Sequence, residues 1–89
     1  PATFDLLSEA RSALENADDW TTEPLEHALR GVAERRGIGA GKLFQPLRVA
    51  LTGSAVSPGI FDVLTLLGRE RALARIDAAL GNLRGTGQV

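Results

Sequence analysis

The sequence predicts an all-α domain, a bundle of about five helices with no sheet. Apolar residues recur at helical spacing through almost the whole chain. No segment alternates apolar and polar residues over a strand's length between turn signals. The glycines and prolines fall mainly between the periodic stretches, where helices begin and end.

Phe4, Leu7, Ala10, Leu14 and Ala17 share one face of a helix expected from about Thr3 to Ala17 and ended by Asp18 and Asp19. Trp20 is expected to plug the turn that follows. Thr22 has the side chain of an N-cap, with Glu23 and Pro24 in the first turn, where acid and proline are tolerated. Leu25, Ala28, Leu29, Val32 and Ala33 form the buried face of the second helix, and Gly37 ends it in a left-handed conformation. Gly37, Gly39 and Gly41 read as a loose connector. A third helix turns Leu43, Leu47, Ala50 and Leu51 inward, with Pro46 expected near its start, where a lost N–H does least harm, and Gly53 as its stop. Ser57 and Pro58 open a fourth helix through Phe61, Val63, Leu64 and Leu67. Gly68 marks a break, and a fifth helix from Arg69 to Leu83 carries Leu73, Ile76, Leu80 and Leu83 on one stripe. The expected domain is therefore residues 1–84, with 85–89 a mobile tail that has little to bury.

Eighty-nine residues suit one domain with one modest core, and 44% apolar with 24% charged residues is an ordinary globular balance. The absence of cysteine excludes a disulfide framework and a thiolate metal site, and agrees with an expected cytoplasmic location. No apolar run is long enough to span a bilayer. A chain that opens on Pro1 rather than Met reads as a processed or excised piece. The net charge of −1 hides a polarity. Residues 1–34 carry eight acids against Arg11 and Arg30, while residues 35–89 carry eight bases against Asp62, Glu70 and Asp77. Either the basic half sits on phosphates, or the two halves attract each other within the fold.

No catalytic constellation is visible. Gly37 to Lys42 hints at a phosphate loop, but Arg36 and Leu43 occupy positions where a Walker motif needs glycine and serine or threonine. His27, the one histidine, has no metal-ligand spacing to another donor and reads as a half-exposed surface residue. The few aromatics, Phe4, Trp20, Phe44 and Phe61, do not form a stacking platform, so any base reading falls to arginine, backbone groups and proline faces. Arg48 stands among Leu47, Val49, Ala50 and Leu51. In such company it must pair, with Asp62 or Glu70 as the internal candidates, or face a groove where something else arrives. Ser57 to Ile60 is the other candidate, because free N–H groups at a helix start attract phosphate or base oxygens.

The run from Gly41 to Gly53, GKLFQPLRVALTG, followed from Pro58 to Arg71 by PGIFDVLTLLGRER, resembles the C-terminal anticodon-binding domain of bacterial-type glutamyl-tRNA synthetases. The looser likeness through Trp20 to Leu25 extends the resemblance over nearly all of the chain except the tail. It implies a helical cage that receives the anticodon loop of glutamate tRNA, joined to the rest of a synthetase. It also implies roles: Arg48 on the first anticodon base, and Ser57, Pro58, Gly59 and Ile60 cradling the first two bases. Ser57 and Ile60 replace the family's commoner threonine and leucine, conserving a hydroxyl and an aliphatic group. Lys42, Arg35 and Arg36 are expected as auxiliary phosphate contacts. The family's catalytic domain, which uses ATP and Mg, is absent from these residues, so no cofactor is expected in this domain. The alternatives are a helical protein–protein interaction module with a basic face, and a helix-turn-helix DNA binder built from Pro58 to Leu83.

Overall fold

Four helices make up the computed structural model, which describes residues 2–54 and 59–86: α1 (Ala2–Glu15), α2 (Thr22–Arg36), α3 (Ala40–Thr52) and α4 (Ile60–Thr86). The described residues are helical or in turns, with no strand among them. The expected five helices become four because α4 runs on past Gly68 as one bent element. At that single residue φ is 82° and ψ is 164°, a non-helical conformation open essentially to glycine alone. The break expected at Gly68 is thus an elbow between two arms. The second arm extends to Thr86, and residues 87–89, like Ser57 and Pro58, lie outside the described residues.

The helix ends follow local chemistry. Thr21, not Thr22, is the N-cap of α2, with extended backbone, so Thr22, Glu23 and Pro24 fill the first turn. Gly37 ends α2 at φ 65°, giving its N–H to Glu34 O while Ile38 N–H reaches Ala33 O. That pairing satisfies last-turn carbonyls and folds Ile38 back onto the core. The connector is shorter than expected: Gly39 caps α3, and Gly41 and Lys42 already lie in its first turn. As a result Pro46 sits in the middle of α3 rather than near its start. Its ring removes the N–H that would have bonded the Lys42 carbonyl, an interior defect. Gly53 stops the helix at φ 78°, its N–H on Val49 O.

Every pair of helices touches, with α4 packed most extensively on α3 and α1. Leucines from all four elements meet in one core: Leu14, Leu25, Leu29, Leu43, Leu47, Leu51 and Leu64 are fully buried, with Ile76. Each such burial is worth about 2 kcal/mol relative to exposure. No polar or charged residue is buried among the described residues. Phe44, Phe61 and Trp20 are partly buried against the rim of this core, and Phe4 is partly buried as well.

Outside the core, charge joins the helices. Glu9 of α1 receives Arg35 Nε at 3.0 Å and Arg36 Nε at 2.6 Å from the end of α2. Those two hydrogen bonds, Arg35 first, hold the Glu9 carboxyl below its ordinary range. Arg11 binds Asp77 of α4 and Glu15 one turn along its own helix. The Asp77 hydrogen bond is the main cause that raises the Arg11 pKa.

Replacing Gly68 by alanine strains the elbow and is expected to cost about 1–3 kcal/mol, read as a lower denaturation midpoint. Pro46→Ala restores an interior hydrogen bond and is expected to raise the midpoint, an outcome that a denaturant titration checks directly. Because the Glu9 pKa is depressed on folding, its contribution is present above the ordinary glutamate range and fades as pH falls through the folded value. Glu9→Gln should therefore flatten the acid limb of the stability–pH curve while changing its neutral limb by a constant offset.

Candidate nucleic-acid interface

Most arginines in this fold already have partners. Arg30 pairs with Glu26, Arg35 and Arg36 with Glu9, and Arg11 with Asp77 and Glu15. Two others cap helices: Arg69 donates to the carbonyls of Ala17 (3.1 Å) and Glu15 (3.5 Å) beyond the end of α1, and Arg75 Nη1 donates to Leu51 O at 2.8 Å in the last turn of α3. Positive charge is favourable at both places, where carbonyls lack helical donors. Among the described side chains, Lys42, Arg48 and Arg71 are the cations left without an internal ion pair or hydrogen bond. Of the second-half bases, Arg35, Arg36, Arg69 and Arg75 are thus committed inside the molecule, the first two to Glu9 and the others to carbonyls.

Arg48 is the unusual member of that set. It is half-buried, its Nε is fully shielded from solvent, and that N–H meets no acceptor among the described residues. Leaving such a donor unmet costs on the order of 1–3 kcal/mol, and more when the group is charged. Neither Asp62 nor Glu70 takes it, so the internal ion pair that the sequence left open is not found. The Arg48 carbonyl accepts from Thr52 Oγ1 at 2.8 Å, fixing the backbone that carries it.

The head of α4 is brought to the same face of α3 by a pair of rings. Phe44 and Phe61 meet edge to face, with centroids 5.5 Å apart at 84°. Phe44 lies one turn before Arg48 on α3, and residues four apart share a helix face. Phe61 follows Gly59 and Ile60 directly. Gly59 is exposed, and its carbonyl accepts Val63 N–H at 3.1 Å, so it acts as the cap and leaves first-turn N–H groups of α4 unclaimed by the helix. Ile60 is 2% exposed, so its side chain belongs to the core and only its backbone faces this site. Asp62 brings Oδ2 within 3.6 Å of where a Cβ on Gly59 would stand. That carboxylate makes the helix head less hospitable to phosphate than to a base edge bearing its own donors. Ser57 and Pro58, the other two expected contacts, lie outside the described residues.

The expected phosphate contacts divide. Lys42 is exposed in the first turn of α3 with its charge free. Arg35 and Arg36 are at the far end of α2 and share Glu9, so a phosphate there would have to compete with a carboxylate. Sequence spacing alone gave no reason to single out Arg71, an exposed cation in the second arm of α4, or to separate Arg69 and Arg75 from the free ones. His27 is exposed rather than half-exposed. A larger groove of about 700 Å³ opens between α1, α3 and the second arm of α4, but Thr3, Leu7, Val49 and Ala79 line it and Arg48 does not. It is largely apolar, and its one arginine, Arg75, is committed to Leu51. No cluster that could hold a metal occurs among the described residues, and no helix there is long and apolar enough to cross a membrane.

The helical fold has counterparts among known proteins. A family model described as an anticodon binding domain matches residues 1–80. The chain is 62% identical over 76 residues to glutamate–tRNA ligase 2 of Rhizorhabdus wittichii, covering 85% of this chain and 16% of that protein. It is 58% identical over 72 residues to glutamate–tRNA ligase 1 of Erythrobacter litoralis, covering 81% and 15%. The crystal structure of a glutamate tRNA ligase from Elizabethkingia meningosepticum, in complex with its amino acid, superposes with a TM-score of 0.85 at 31% identity, over 91% of this chain and 16% of that one. The chain therefore spans only 15–16% of the length of these relatives. With its helical cage and its match along residues 1–80, the chain belongs to the anticodon-binding-domain family, in the form carried by glutamate–tRNA ligases.

Proposed function

We propose that this domain receives the anticodon loop of glutamate tRNA as the recognition end of a glutamate–tRNA ligase. The observation that carries the proposal is the Arg48 Nε–H, shielded from water with no acceptor among the described residues in a fold that pairs most of its other arginines. An unpaired buried donor is tolerated where a ligand supplies the acceptor. A planar guanidinium donates two parallel hydrogen bonds to a base edge, and partial burial fixes their direction. The first anticodon base takes those donors. Gly59 lets the backbone come close, and the first-turn N–H groups of α4 accompany Ser57 and Pro58 in cradling the first two bases.

Lys42 supplies the long-range attraction to the loop phosphates, with Arg35 and Arg36 as weaker contributors because each shares its charge with Glu9. So few free cations give modest affinity and a shallow salt dependence. Selectivity then comes from geometry at Arg48 more than from bulk charge. Glutamate activation with ATP and Mg falls to the remainder of such an enzyme, and this domain contributes the choice of tRNA.

The test is a titration with the glutamate-tRNA anticodon stem-loop, the same hairpin altered at the first anticodon base, and a duplex DNA. The native loop should bind best. Arg48→Lys, which keeps the charge but not the fork, should lower the ratio between native and altered loops by about tenfold, the scale of a lost bidentate base contact. Equal binding of all three nucleic acids, or unchanged discrimination in Arg48→Lys, contradicts the proposal. Gly59→Ala, whose new methyl would meet only ordinary contact with Asp62, should leave the melting temperature in place while weakening the hairpin.

A further inference from the structure

The elbow of α4 is fastened on both sides to a single short stretch of chain. Ahead of Gly68, the carbonyl of Leu64 accepts Trp20 Nε1–H at 2.6 Å. Just after it, Arg69 donates to Ala17 O at 3.1 Å and places its guanidinium carbon 5.5 Å from the centre of the Trp20 ring. Both anchors therefore lie between the end of α1 and the start of α2. Glycine at φ 82° sets no angle by itself, because its backbone is free over a wider range than that of any other residue. What selects one angle must be contacts that bracket it, and Trp20, bonded to the first arm, and Arg69, on the second, do so while touching each other.

The angle matters for the site because the first arm carries it. That arm starts at Ile60, is pinned to α3 through Phe61 against Phe44, and ends at the elbow. A rotation at Gly68 swings the head of α4 relative to the face bearing Arg48. The second arm is independently tied to α3 by Arg75 on Leu51 O and to α1 by Asp77 with Arg11, so motion at the elbow would be taken up by the first arm.

We propose that Trp20 and Arg69 are positioning residues for the RNA site, holding the elbow so that Gly59 and Ile60 stand beside Arg48 in the geometry a splayed base requires. This rests on the anticodon reading above for its ligand, though not for its mechanics. A hydrogen bond from the indole and a cation over its face are both needed, because the first fixes Leu64 and the second fixes Arg69 to the same side chain.

Two variants and one control test it in this chain. Trp20→Phe keeps a ring beneath Arg69 but loses the N–H; Arg69→Met keeps the length of the side chain but loses its donors and charge. Val32→Ala, in the core of α2, serves as a variant destabilised elsewhere. All are studied well below their melting temperatures. Residual dipolar couplings of the two arms, with ring contacts between Phe44 and Phe61, report the elbow without RNA; the anticodon hairpin reports the site. Both elbow variants should change the interarm couplings and lose about five- to tenfold in hairpin affinity, the loss expected for one hydrogen bond, while Val32→Ala changes neither. Unaltered interarm couplings in both elbow variants, or an equal affinity loss in Val32→Ala, overturns the proposal. If the unsubstituted protein ignores the hairpin's anticodon, the anticodon reading fails, and the couplings still decide whether the clasp sets the elbow. Since Trp20 is the one tryptophan, its emission should also shift when the hairpin binds.

Discussion

A guanidinium N–H withdrawn from water must find an acceptor or leave a donor unmet, and the Arg48 Nε is withdrawn and finds none among the described residues. The rest of the molecule shows how readily an acceptor could have been provided. Glu9 takes two arginines, Asp77 takes Arg11, and the last-turn carbonyl of Leu51 takes Arg75. Asp62 even stands near the head of α4 with its carboxylate against Gly59 rather than on Arg48. Among the described residues the fold thus carries one buried side-chain donor unmet, one turn along α3 from the ring that packs on the first turn of α4. An energetic defect of that kind is understandable where the missing partner arrives from outside.

Everything around that donor serves to hold it still. The leucine core fixes α3 through Leu43, Leu47 and Leu51, so the neighbouring face, with Phe44 and Arg48, has little freedom to rotate. The ring pair of Phe44 and Phe61 then registers α4 against it. The acidic first half of the chain does not chiefly repel phosphate. Its groups hold Arg35, Arg36 and Arg69, the Leu51 carbonyl holds Arg75, and Lys42, Arg48 and Arg71 are left free among the described side chains. Such an arrangement exchanges nonspecific affinity for a directed contact.

The helical class, the buried leucine faces and the stops at Gly37 and Gly53 were legible because period and glycine placement are local signals. The helix count was not, since an elbow at Gly68, where one non-helical residue joins two arms with no loop between them, and a gap between two helices look alike in sequence. Pro46 was misplaced for a related reason: glycine at positions 39 and 41 looked like a connector, yet α3 begins at Ala40 and runs through both Gly41 and the proline. For the site, Arg48 could be singled out by its apolar neighbours, but whether it paired internally depended on where Asp62 and Glu70 came to lie. Arg35 and Arg36 looked as free as Lys42 because their partner, Glu9, is distant in sequence. Long-range ion pairing is the term that one-dimensional charge counting leaves out.

The central claim concerns one N–H group, and it can be watched directly. In a ¹⁵N–¹H spectrum selective for arginine Nε, the Arg48 resonance of the free protein should show no partner of its own, and addition of the cognate anticodon hairpin should shift it strongly and slow its exchange. The hairpin altered at the first anticodon base should do neither. An Arg48 Nε–H that is already hydrogen-bonded in the free protein, or one that responds alike to both hairpins, would contradict the account.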